Sequence, residues 1–251
     1  NHPYGKFIFQ ETKMNTHTFR KKWGQNFLQD PNIIRKIVGK LDPQSHDVVI
    51  EIGPGQGALT FELARQVQMV HAIEIDPLLV KHLNEHSPEN VNVIHHDILE
   101  LDLNQFSGNF KIIGNLPYNI TSPIIFKFLN WTGWSKMVFM TQKEVAQRIT
   151  SIHGNKTYGR LSVMTQVFSN VELSFTVPKT VFFPQPNVNS AILTFEPIDN
   201  TISDIHHFSQ IVKLAFSQRR KTLRNTLKDL FTAEELGKFS SKRAEELSVQ
   251  D

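Results

Sequence analysis

The run GNLPYNITSP (114–123) places a primary amide, Asn115, directly after the apolar stretch FKII, and follows it with Leu116, Pro117 and Tyr118. An amide at the end of a buried strand needs something to hydrogen-bond. Asn115 and the backbone carbonyl of Leu116 offer two acceptors on one side. Pro117 fixes its own φ and biases Leu116 toward an extended backbone, which aims that carbonyl outward. Tyr118 adds an aromatic face beside them. The set suits a flat group carrying an NH2, with two in-plane donors and a π surface to stack on. Taken alone, N-x-P-Y after a strand is more often a capped turn with a packed tyrosine. Its company decides otherwise.

That company begins with EIGPGQG (51–57), between a candidate strand and a candidate helix. Glycines at 53, 55 and 57 allow a tight turn and close backbone approach to a ligand. The G-x-G-x-G spacing departs from the G-x-G-x-x-G of a dinucleotide loop. Glu74 and Asp97 close the next two candidate strands. Open α/β sheets bind ligands outside the carboxyl ends of their strands. Glu74 has the two oxygens needed to accept both ribose hydroxyls, and Asp97 an oxygen for an adenine amine. Either acid alone reads as a cap or a solvated charge, but acids and glycines at successive strand ends favour a nucleoside-bearing cofactor. In that setting Asn115 and Leu116 can hold both hydrogens of an adenine N6 amine while its nitrogen becomes tetrahedral. The lone pair is then localised for attack on an electrophilic methyl, with preorganised dipoles meeting the developing charge. Alignment of nitrogen, methyl and sulfur does the rest.

The elements that must position these groups read as α/β from Asp47 to Pro197. Short apolar runs at 48–53, 70–76, 91–97, 110–115, 136–141, 171–177 and 190–196 are candidate strands, and helical spacing marks 58–66, 78–86 and about 142–152. The last two strands are separated by KTVFFPQPNV, too short for a crossover helix, so they are expected to pair antiparallel. Beyond residue 199 only short helical patterns follow. No run approaches the roughly 18 apolar residues of a membrane span. With no cysteine there is neither a disulfide framework nor a thiolate metal site, in keeping with a reducing cytoplasm. His95 and His96 point to opposite faces of their strand and make no zinc pair, and Trp131 and Trp134 read as packing residues.

The charge is uneven. Of 27 Lys/Arg and 24 Asp/Glu, residues 1–40 hold eight and two, a net +6, which leaves 19 and 22 for the remainder. A basic arm on a near-neutral body fits a polyanionic partner. Residues 1–13 precede Met14 and are given no functional weight. Arg20, Lys21 and Lys22 in the arm, and Arg219, Arg220, Lys221 and Arg224 in SQRRKTLR, are the candidates for tracking phosphates, although the second run also suits a solvated helix face or packing between domains.

Seven motifs in order, GQNFL (24–28), EIGPGQGALT, EID (74–76), HHD (95–97), GNLPYNITSP, FFPQPNVNSAI (182–192) and FSQRRKTLRNTL (216–227), resemble the ribosomal RNA adenine dimethyltransferases, most closely the small-subunit branch. The resemblance runs from Phe19 to Glu246. It implies a Rossmann-like S-adenosylmethionine-dependent methyltransferase fold, with a mostly parallel seven-stranded sheet, one antiparallel strand and a small C-terminal helical domain. The boundaries expected are a flexible arm to residue 18, a catalytic domain over 19–198 and an rRNA-binding domain over 199–251. The resemblance implies a further turn or two of helix after RAEEL, so the last of these is expected to be truncated or abbreviated. The implied reaction methylates N6 of two adjacent adenosines in the 3′-terminal hairpin of 16S rRNA, within the small subunit or its precursor. The implied setting is a cytoplasmic monomer with a part in subunit biogenesis. Asn26 and Leu28 would close over the cofactor, Gly53 would touch its amino-acid and ribose portion, Glu74 its ribose hydroxyls and Asp97 its adenine. Asn115 would lie beside the methyl donor with Leu116 and Tyr118, while Phe182, with Phe183 as its neighbour in register, would sandwich the target base. A large-subunit methyltransferase of the macrolide-resistance type is the nearest rival. A non-catalytic RNA-binding assembly factor is the rival from another class.

Overall fold

The computed structural model describes residues 26–199, 202 and 204–251, so Arg20, Lys21 and Lys22 lie outside the described residues. The chain enters through a two-residue strand, β1 (Phe27–Leu28), and helix α1 (Pro31–Leu41). The Asp30 carboxylate caps α1, accepting from the N–H groups of Asn32 and Ile33 at 2.8 and 3.2 Å. Then come β2 (Val48–Ile52), α2 (Ala58–Ala64), β3 (Met69–Glu74), α3 (Pro77–His86), β4 (Val91–His95), β5 (Phe110–Asn115), α4 (Thr121–Leu129) and β6 (Trp134–Gln142). Helices α5 (Lys143–Ile149) and α6 (Arg160–Gln166) lead to β7 (Ser169–Val177), the short β8 (Phe182–Phe183) and β9 (Ser190–Pro197). The C-terminal segment holds α7 (Ile205–Ala215), α8 (Leu223–Thr226) and α9 (Ala233–Leu236).

Seven strands form one sheet in the order β4-β3-β2-β5-β6-β9-β7, and β9 alone runs against the others. The winding runs outward from β2 through β3 to β4, then restarts at β5 on the other side. The crevice between β2 and β5 is therefore the switch point, where such sheets bind ligands. Alternate residues of the central strands feed opposite layers. Ile50, Ile52 and Ile112 join one core with α4, while Val49 and Ile113 join the other with α1 and α2. Burial on both faces explains why the parallel strands read as nearly unbroken apolar runs.

Several expected elements take different bounds. The helix read at about 142–152 stops at Ile149, because β6 extends to Gln142 and a loop follows. Helices α1, α4 and α6 were not among the sequence expectations. Trp134 is buried, and Trp131 packs on Phe110 with ring centroids 5.7 Å apart. Beyond residue 199 the chain is not a free-standing unit. Phe208 of α7 packs edge-on against Phe168, and Val212 belongs to the main core. Among the described residues, Ala215, Leu223, Leu227 and Ala244 build a separate small core with partly buried neighbours such as Phe231 and Phe239. The Gly154 N–H donates to the Glu245 carbonyl at 2.7 Å, fastening this unit to the loop after α5.

Gly114 holds the switch point tight. A methyl group there would lie 2.8 Å from the Ile52 carbonyl oxygen and 3.1 Å from Ile52 Cβ. Backbone cannot step aside cheaply, so Gly114→Ala is expected to cost about 1–3 kcal/mol. The check is urea unfolding, with a lower midpoint at unchanged slope.

Candidate active site

Strand register builds the site. The pairing Ile52↔Gly114 sets Gly53 beside Asn115 at the carboxyl ends of β2 and β5. A Cβ on Gly53 would lie 3.7 Å from the Asn115 carbonyl oxygen. Gly53 and Gly55 both adopt left-handed φ, +63° and +60°, as the loop folds back over the strand ends. The Asn115 side chain is turned in a definite direction. Its Nδ2 donates to the Asn26 carbonyl at 3.1 Å, which leaves Oδ1 as the end open to a ligand.

The next three residues complete an acceptor pair. The Leu116 side chain is buried, and its N–H donates to the Met140 carbonyl at 3.0 Å. The turn that follows draws on Pro117 instead. Its carbonyl accepts from the Ile120 N–H at 3.1 Å and from the Thr121 hydroxyl at 3.0 Å. No hydrogen bond among the described residues uses the Leu116 carbonyl. Tyr118 is half-buried, and its hydroxyl lies 3.0 Å from the Ser190 Oγ. Ser190 is fully buried at the start of β9. The last residue of the F-x-P-x-P-x-V-x-S segment thus anchors the tyrosine of GNLPY, a link that no spacing within either motif reveals.

Three carboxyls lie around the glycine loop. Glu74 is 5% exposed. Its Oε1 accepts from the N–H groups of Ile75 and Asp76, both at 2.9 Å, and its Oε2 from Gly55 at 3.2 Å. Burial raises its pKa despite these three donors. With Oε1 already taken twice, Oε2 is the oxygen with room for a ribose hydroxyl. The expectation that both oxygens serve the ribose narrows to one. Asp97 is half-buried, and its Oδ1 accepts from the Leu99 N–H at 2.8 Å, leaving Oδ2 for an amine. Glu51, which sequence reading passed over, is 1% exposed under the loop with an unpartnered Oε2. It faces Thr60 of α2, and burial pushes its pKa up to about 8, with a smaller push from the Glu74 charge.

Strand alternation sets where two of the expected residues point. Antiparallel pairing matches Leu28 with Phe182 and Phe27 with Phe183. The first pair points into the core, Leu28 at 7% and Phe182 at 4% exposure. Both side chains are buried in this fold. The second pair points outward. Phe183 is 54% exposed, and the Phe27 ring stands 3.1 Å from where a Gly55 Cβ would be. Phe27 is a site residue that the motif reading missed, one position from Leu28. In the basic run, the Arg219 Nη1 donates to the Lys156 carbonyl at 2.6 Å, a structural tie between the C-terminal unit and the loop before α6. Arg220, Lys221 and Arg224 are exposed.

Comparison with known proteins identifies relatives of the whole chain. A family model for ribosomal RNA adenine dimethylase matches residues 16–250. The chain is 45% identical over 228 residues to ribosomal RNA small subunit methyltransferase A of Neisseria gonorrhoeae (strain NCCP11945), covering 89% of this chain and 88% of that protein. A solved dimethyladenosine transferase from Plasmodium falciparum superposes with a TM-score of 0.79 at 26% identity, covering 90% of this chain and 94% of that one. The solved 23S rRNA methyltransferase ErmE gives 0.67 at 27% identity, with 88% and 96% covered.

Two measurements follow from the site. Ser190→Ala and Tyr118→Phe are each expected to lower stability by about 0.5–1.5 kcal/mol, and the double variant to lower it by less than the sum, read from a denaturation cycle. For Glu51 the folded value of about 8 lies above the ordinary 4.5, so its protonated form stabilises the fold at low pH. That contribution is lost as pH rises from about 4.5 to about 8. Melting temperatures of wild type relative to Glu51→Gln are expected to fall across that window and level off above it.

Proposed function

The chain belongs to the ribosomal RNA adenine dimethylase family, and from that premise we propose that it dimethylates N6 of two adjacent adenosines in small-subunit rRNA. It is an S-adenosylmethionine-dependent RNA methyltransferase. When bound, the cofactor supplies a methyl group made electrophilic by a sulfonium. The chain's own residues fit such a group: a left-handed glycine loop, one spare oxygen on Glu74 and one on Asp97.

The reacting amine meets two fixed acceptors. Asn115 Oδ1 and the Leu116 carbonyl take one N6 hydrogen each, and Tyr118 offers its face to the purine. As nitrogen becomes tetrahedral, its lone pair turns away from the ring and toward the methyl. A sulfonium donor held there would supply the methyl carbon that this nitrogen attacks, and the alkylated nitrogen, now acidic, would give its proton to water. No strong base is needed. Tyr118 cannot swing aside freely, because Ser190 holds its hydroxyl. Phe183, exposed beside the mouth, is proposed as the second aromatic surface in place of Phe182. Extruding the base costs a few kcal/mol, against about 1–3 kcal/mol regained for each stacked ring.

The substrate class rests on the 45% identity to a small-subunit methyltransferase, against 27% to the 23S enzyme. Arg220, Lys221 and Arg224, exposed on the C-terminal unit, are proposed to follow the rRNA backbone of the subunit or its precursor, with the arm residues Arg20, Lys21 and Lys22. A cytoplasmic monomer is the proposed setting. Among the described residues no helix is long and apolar enough to cross a membrane.

The observation that carries the mechanism is the Asn115–Asn26 bond, which turns Oδ1 toward the ligand. Asn115→Ala is expected to lower methyl incorporation into undermethylated small subunits by about 10²–10³-fold, with cofactor affinity changed far less. Equal rates would remove Asn115 from catalysis. Primer-extension mapping is expected to place the dimethylated bases in the 3′-terminal hairpin, with purified large subunits inert. Label in the large subunit instead would favour the rival specificity.

A further inference from the structure

Beneath the glycine loop lies a carboxyl group that methyl transfer as described does not use. Glu51 is 1% exposed, and its Oε2 meets no donor. None of the ion pairs among the described residues includes it. Of the elements packed around it, β3 contributes the one charge that bears on it, Glu74, of like sign. Helix α2 contributes Thr60, whose hydroxyl and backbone N–H are neutral donors that favour the charged form, though less than burial disfavours it. Strand β5 contributes Ile113, and α1 contributes Ile37, Val38 and Leu41 to the same layer. The α1 lysines are engaged elsewhere, Lys36 over the Phe175 ring and Lys40 with Glu172. A carboxylate in such surroundings would be buried, without a counter-ion and repelled by Glu74, with only the neutral donors of Thr60 to favour it. The neutral acid is the form that fits.

Position gives this acid a use. Glu51 is the last residue but one of β2, and Gly53, the first residue of the loop beyond it, stands next to Asn115. Two residues of strand separate Glu51 from Gly53, roughly 7 Å. At that range a unit charge acts strongly through a low-dielectric interior.

We infer that Glu51 is a charge-sensing residue of the cofactor site, protonated in the free protein and ionised when a cationic methylsulfonium is seated over the glycine loop, so that donor and neutral thioether product are distinguished by charge. The inference rests on the S-adenosylmethionine reading of this site. On donor binding the Glu51 O–H bond breaks and its proton leaves to solvent. After methyl transfer the sulfur is neutral and Glu51 takes a proton back, which weakens the hold on the product relative to fresh donor. Burial, the larger cause, keeps the free-state pKa near 8, so the proton is present at neutral pH to be released.

Binding of S-adenosylmethionine and S-adenosylhomocysteine to the full chain is measured by calorimetry from about pH 6.5 to about pH 8.5, in buffers of different ionisation enthalpy. Donor affinity is expected to rise about tenfold relative to product affinity over that range, with net proton release for the donor only, since affinity climbs with pH when binding expels a proton. In Glu51→Gln the donor-to-product ratio is expected to be flat with pH. That comparison cancels titration of the ligands' own amino groups. Parallel profiles for the two ligands in wild type, or a wild-type difference retained in Glu51→Gln, would overturn the inference while leaving the cofactor assignment intact. Failure of both ligands to bind wild type would overturn the cofactor assignment itself, and the inference with it. The proton count in wild type is decisive even if the variant fails to fold.

Discussion

A primary amide can present a donor or an acceptor, and the way Asn115 is turned decides what this pocket can hold. Reversed, it would set an NH2 against the NH2 of an incoming purine. The Asn26 carbonyl prevents this by taking the Nδ2 hydrogen across 89 residues of sequence. The strand that begins at the next residue is held by the short ladder between β1 and β8. A few residues beyond that ladder, Ser190 grips the Tyr118 hydroxyl. One segment, FFPQPNVNS, therefore steadies the acceptor and the aromatic face together. Motifs far apart in the chain meet here because each satisfies a polar group of another.

The sheet makes this meeting possible. Parallel strands on either side of the switch point end at the same level, and β2 and β5 release their loops toward one crevice. Glycine is required at 114 by proximity to the Ile52 backbone and at 53 and 55 by positive φ. The first requirement packs the strands closely enough for Gly53 and Asn115 to be neighbours. The second lets the loop close over a ligand. Loss of either would leave the other without purpose.

Much of this was legible in the sequence. The seven strand positions follow from apolar runs buried on two sides, and Glu74, Asp97 and Asn115 follow from standing at strand ends. What was not legible depends on pairing. Whether Leu28 or Phe27 faces the ligand, and Phe182 or Phe183, is a matter of parity, fixed only when β1 meets β8. Motif resemblance chose the buried member each time. The Tyr118–Ser190 contact spans 72 residues and has no local signature. Glu51 went unremarked because in EIGPGQG the glycines draw the eye, and only burial reveals that its carboxyl has no partner. Helices α1 and α4 were missed because their residues flank or overlap motifs read for chemistry, not periodicity, and α6 is only seven residues long. The C-terminal boundary blurred because α7 serves two cores at once.

The same burial explains why the residue at the reacting amine is an amide. An aspartate at 115 would be a stronger acceptor in water. Here it would share a crevice with Glu51 and Glu74, whose pKa values already rise as burial disfavours their charge. A third carboxylate would face the same desolvation plus the repulsion of its neighbours, and would tend to bind a proton. Protonated, it turns one oxygen into a donor, the wrong partner for an N–H. An amide cannot make that exchange. Its oxygen stays an acceptor whatever protons the surrounding acids carry, so charge can vary beneath the glycine loop while the grip on the amine does not.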